Sequence, residues 1–131
     1  MPLDERVLEL AALWWRNAEE DCEAARRTGD LPFACCFHSQ QAVEKAIKAL
    51  LILHQIDFAK SHDIGELLEL LRHSPTPPPA KVAKGLEALT RYAVETRYPP
   101  GDARRTDARS ALAAARRFLH WAKRKLHLNS G

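Results

Sequence analysis

The chain has 131 residues, 46% of them apolar and 28% charged, with a formal net charge of +3. That length suits one domain spanning residues 1–131, large enough to bury a core without staples. No apolar run approaches the roughly 20 residues of a membrane span, and Cys22, Cys35 and Cys36, lacking CxxC or Cys/His spacing, exclude a disulfide framework and a zinc module.

The opening "MPLDERVLEL" is acidic where a signal peptide would be basic. The expected location is the cytoplasm, with the cysteines as buried free thiols. Ala, Leu, Glu, Arg and Lys dominate, and alternating β-branched runs are absent, so the expected class is all-α.

Five helices are predicted. The first runs from about Asp4 to Arg27, with Val7, Leu10, Ala11, Trp14, Ala18, Cys22 and Ala25 as its stripe. "TGD" ends it, with Gly29 suited to a left-handed position and Asp30 to the next N-cap. Helix two runs from about Leu31 to Gln55, with Pro32 early in it. One of its faces is Cys36, Gln40, Val43, Ile47, Leu50 and His54; the next row is Phe33, Phe37, Gln41, Glu44, Lys48 and Leu51. After the loop Ile56–Ser61, Ser61 or Asp63 caps a short third helix to about Arg72, with Ile64, Leu67, Leu68 and Leu71 inward. "HSPTPPPA" (His73–Ala80) is a stiff break. Helix four runs from about Ala80 to Glu95, with Val82, Leu86, Leu89 and Ala93 inward. "TRYPPGDARR" (Thr96–Arg105) is a loop. Thr106 caps helix five, which runs to about Leu128 with Ala108, Leu112, Ala115, Leu119, Ala122 and Leu126 inward. Short connections suit an up-and-down bundle whose pillars are helices one, two and five.

Charge is unevenly spread. Residues 1–30 carry 8 acids and 4 bases, whereas residues 101–131 carry 2 acids and 8 bases. An acidic first helix can lie beside a basic last one, or the polarity can orient an anionic partner. The last helix also offers a nucleic-acid footprint. Phe118 and Trp121, however, are placed to pack rather than to stack on bases. Asp21, between Glu20 and Glu23, reads as a solvated acid.

Helix two raises a sharper question. Glu44 and Lys48 are four apart in the favourable order, as in a surface pair. Gln40, however, falls on the apolar stripe, and a buried Gln needs partners from other helices or another subunit. The row therefore reads as a structural network or subunit interface, with a ligand-facing row as the alternative. His62–Asp63 is a capping Asp beside an exposed His, or a polar pair at a helix N-terminus that favours anions. Pro99 fixes the exit of helix four at Arg97–Tyr98, where Tyr98 covers the core edge and Arg97 meets an acid such as Glu44, or a phosphate.

"HSQQAVEKAIKALLI" (His38–Ile52), "SHDI" (Ser61–Ile64) and "TRYPP" (Thr96–Pro100) together resemble the HEPN family (higher eukaryotes and prokaryotes nucleotide-binding domain). The aromatic first helix, "LWWRNAEEDCEAA" (Leu13–Ala25), also looks like that family's. The resemblance implies a bundle of four long helices plus a short fifth, usually a homodimer. It also implies a nucleotide ligand, a minimal nucleotidyltransferase partner, or both, in a two-component, toxin–antitoxin-like system. Lys45, Lys48, His62 and Arg97 would then form the anion site, within a polar network of Gln40, Gln41, Glu44, Asp63 and Tyr98. Trp14, Trp15 and the helix-two row are candidates for subunit contact, and Tyr98 is one hydroxyl that a partner could modify. No cofactor or metal is required.

The family's ribonuclease branch uses an Arg-x(4–6)-His motif, in which His moves a proton and Arg stabilises phosphate charge. None of the six histidines here has an arginine at that spacing; Arg116 and His120 are the nearest pair, four apart. A ribonuclease toxin acting on RNA through these nonstandard residues is the alternative function.

Overall fold

The computed structural model describes residues 4–93 and 102–130. Among these it is all-α: α1 (Glu5–Arg27), α2 (Pro32–Leu53), α3 (Ile64–Arg72), α4 (Ala80–Ala83), a 3-10 helix (Glu87–Tyr92) and α5 (Arg105–Ser130). No described helix is long and apolar enough to cross a membrane.

The three predicted pillars, α1, α2 and α5, are present; helix four is not a fourth. It breaks after one turn because Lys84 is extended and Gly85 takes a φ of 82°, a left-handed value that glycine adopts without a Cβ clash. The chain resumes as a tighter 3-10 helix, so Val82, Leu86, Leu89 and Ala93 all remain buried.

Several ends also differ from expectation. Thr28 closes α1 by donating its hydroxyl to the Ala24 carbonyl at 2.8 Å, and Gly29 is not left-handed. The N-cap of α2 is Leu31, without a side-chain bond; Pro32 at the first turn has no N–H to satisfy. At the other end Gln55 is the left-handed residue (φ 56°), and Ile56 N–H closes on the Leu51 carbonyl in a Schellman pattern. Asp63 caps α3 as expected, accepting from Glu66 N–H. Helix α5 starts at Arg105 rather than after Thr106, and the Asp107 carboxylate reaches back to accept the Arg104 N–H at 2.9 Å.

Helices α1 and α2 form an antiparallel hairpin, with Asp21 opposite Lys45 and Trp14 opposite Lys48. Ala11, Ala18 and Ala25 are the buried line of α1 and let α2 approach closely. Leu10, placed on that stripe by spacing, is instead 46% exposed. α2 is the central element, with α1, α3, the 3-10 helix and α5 all packed on it. That central position is why its polar row becomes buried.

Candidate functional site

The polar row of α2 is an internal network. Gln40 is fully buried, Glu44 and Lys48 almost so, within the single chain rather than between subunits. Spacing of four residues stacks the three side chains along one line of the helix. Gln40 Nε2 donates to Glu44 Oε1 at 2.9 Å and, more weakly, to the His62 carbonyl at 3.4 Å. Its own Oε1 accepts from Gln41 Nε2 at 2.7 Å. Glu44 Oε2 accepts from Lys48 Nζ at 2.9 Å, and Oε1 also stands 3.0 Å from His62 Nδ1. An acceptor there fixes the proton of His62 on Nδ1. The ammonium of Lys48 lies 5.4 Å from the Trp14 ring centre and 5.7 Å from that of Phe58, so the faces of two aromatics complete its shell.

A second node joins α1 to α2. Asp21 is not the solvated acid its neighbours suggest: its side chain is 14% exposed and accepts from Lys45 Nζ at 2.6 Å and His38 Nδ1 at 2.9 Å. The sequence carried a signal for this, since Asp21 lies three residues after Ala18 and four before Ala25, both fully buried.

Of the four candidate anion binders, Lys45, Lys48 and His62 therefore each hold a carboxylate, and Arg97 lies outside the described residues, as does Tyr98. Asp63 is in the site only as the cap of α3. The alternative catalytic pair does come together. Arg116 and His120 line a groove of about 450 Å³ between α1 and α5, with Trp15, Cys22, Arg26 and Lys123. Burial pushes the Cys22 thiol up, and likewise those of Cys35 and Cys36, so none is an activated thiolate. Glu23 at the groove edge is engaged by Arg26 and Arg27.

Comparison with known proteins identifies the fold family. A family model described as the HEPN domain matches residues 11–126. The chain belongs to the HEPN family. Both nodes and the α1–α5 groove lie inside the matched span. This HEPN chain is also similar to two solved structures. One is described as ST0689, an archaeal HEPN homologue, with 30% identity, TM-score 0.70, and 88% of this chain and 97% of that one covered. The other is TT1696 from Thermus thermophilus, with 29% identity, TM-score 0.69 and the same coverages. Over 56 residues the chain is 45% identical to a Methanocaldococcus jannaschii protein named "Putative toxin MJ1304". That match covers 40% of this chain, which spans little more than a third (36%) of the relative.

Proposed function

We propose that this chain is the HEPN half of a two-component, toxin–antitoxin-like system, binding a nucleotide, a minimal nucleotidyltransferase partner, or both. The observation that carries this reading is the outer face of α5. Arg109, Arg116, Arg117, His120, Lys123 and Arg124 are all exposed along it, with no acidic residue interleaved. Such a face is electrostatically incomplete by itself and attracts an anionic surface or ligand. The toxin name of the archaeal relative supports the same reading. The polar network of α2, by contrast, has its cations already matched by carboxylates, which suits a scaffold. Native mass spectrometry of the protein purified gently from its host is expected to show a second chain or an added nucleotide mass. A bare homodimer would count against the proposal.

A second reading rests on the α1–α5 groove. It brings Arg116 and His120 together with the further cations Arg26 and Lys123, the residue types that phosphodiester cleavage needs. If this chain is a ribonuclease, His120→Ala should lower the cleavage rate by about 10²-fold or more, the usual contribution of a general acid or base. Cleavage at an undiminished rate would remove His120 from that role.

A further inference from the structure

A second cleft, on the other side of α5, is assigned no role by the family match. It has a volume of about 620 Å³ and lies between α5 and the segment formed by α4 and the 3-10 helix. Small-molecule sites occupy roughly 300–1,000 Å³. Lys81, Lys84 and Arg117 stand around it. Among the described residues no carboxylate is paired with any of the three. They differ in this from Lys45 and Lys48, whose charges are matched within the fold.

The cleft has a built shape. The break at Gly85 turns the chain so that Lys81 and Lys84, from α4 and its end, face α5 across the gap. Nothing lies within 4 Å of where a Gly85 Cβ would be, so that part of the wall is open. Arg117 donates to the Lys84 carbonyl at 3.4 Å, a long bond that holds the guanidinium near the turn while its other donors remain available. Ala111 and Ala114 on α5 and Leu89 opposite supply an apolar lining. At the far end Arg91 ion-pairs with Asp107 at 3.6 Å and donates to the Tyr92 hydroxyl at 2.6 Å. That end is thus neutralised, and the surplus positive charge is at the Lys81–Lys84–Arg117 end.

A ligand matching this arrangement has a compact anion over the cationic end and a body that lies along the apolar lining of Ala111, Ala114 and Leu89. We propose that the cleft binds a nucleotide, with Lys84 and Arg117 holding its phosphate and Lys81 adding charge at the rim. The ligand class rests on the functional reading above, whereas the location rests on the cleft alone. Planar donors on Arg117 suit phosphate oxygens, and Lys84 adds a mobile point charge.

The test is isothermal titration calorimetry at low salt with three probes: ATP, inorganic phosphate and a short 5′-phosphorylated single-stranded oligoribonucleotide. At least one is expected to bind, and the Lys84→Ala/Arg117→Ala double variant should weaken it by about tenfold or more, as loss of charge-assisted contacts implies. The charge-conserving Lys84→Arg/Arg117→Lys variant should retain most of the affinity. Both positions changed in these variants are exposed surface sites, and matching thermal melts would confirm intact folding. Binding of ATP identifies a free nucleotide as the source of the phosphate; binding of the oligoribonucleotide alone identifies a polymer. Absence of binding by every probe would overturn the cleft, as would binding that survives the double variant but is lost in Lys45→Ala. A partner chain retained in native mass spectra while no probe binds would sink the cleft and leave the two-component reading standing. A bare homodimer that binds ATP through Lys84 and Arg117 would keep the cleft and the nucleotide arm of the reading and remove the partner chain.

Discussion

Replacing Glu44 with Ala is expected to destabilise the fold by about 3–5 kcal/mol, the cost of removing one partner from a buried ion pair. The side chains of Glu44 and Lys48 are only 4% and 7% exposed, so water screens the loss poorly. Three donors lose their acceptor at once: Gln40 Nε2, Lys48 Nζ and His62 Nδ1. The aromatic faces of Trp14 and Phe58 remain around the ammonium but cannot replace a carboxylate. The loss should far exceed the 0.2–1 kcal/mol or so of an exposed helical pair. Urea denaturation of the two proteins, with matched slopes, measures the difference. A second variant separates charge burial from shape. Glu44→Leu/Lys48→Met removes both charges and keeps most of the volume, so it should recover a large part of the stability. If Glu44→Ala costs less than about 1 kcal/mol, the row is a solvated face and the buried network is wrong.

That pair shows how far the sequence could be read. The helical period set Gln40 on the apolar stripe and Glu44 with Lys48 on the next row, so the polar row was legible, but the structure joins Gln40 to Glu44 across those two rows. The partners were not legible, because Trp14 comes from another helix, and Phe58 and His62 from the loop after α2, whose path the helical period does not fix. The same holds for Asp21, which local composition places in a solvated acidic patch and tertiary contact turns into the anchor of His38 and Lys45. The inward positions of helix four were read correctly, yet its continuity was not. A lone Gly inside an apolar periodic run carries a modest penalty for helix, and here the left-handed turn at Gly85 prevailed. The cationic cleft follows from that break, since Lys81 and Lys84 meet Arg117 only once the chain has turned.

Phe118→Ala is the other change expected to be severe, at about 3–5 kcal/mol. The inner face of α5 is built largely from small residues, with Ala108, Ala111, Ala114, Ala115 and Ala122 all buried. Bulk on that face comes from a few side chains, and among the described ones Phe118 is the one with no exposure at all. Its ring centre lies 5.6 Å from that of Trp121 at an interplanar angle of 43°, so truncation also strips one side of the indole. The methyl side chains of the neighbouring alanines cannot swing into the resulting space, so the cavity should persist and the cost should lie at the upper part of the usual range. The adjacent Arg117 is exposed and lines the cleft. Arg117→Ala should leave the urea midpoint nearly unchanged, as surface substitutions usually do. The two neighbours thus test one geometric statement from opposite sides. A stability loss at 118 with none at 117 fixes the rotation of α5 about its axis, and with it the face that its arginines present. Equal losses at both, or a mild effect at 118, would mean that α5 is turned otherwise, and both the basic face and the cleft would have to be redrawn.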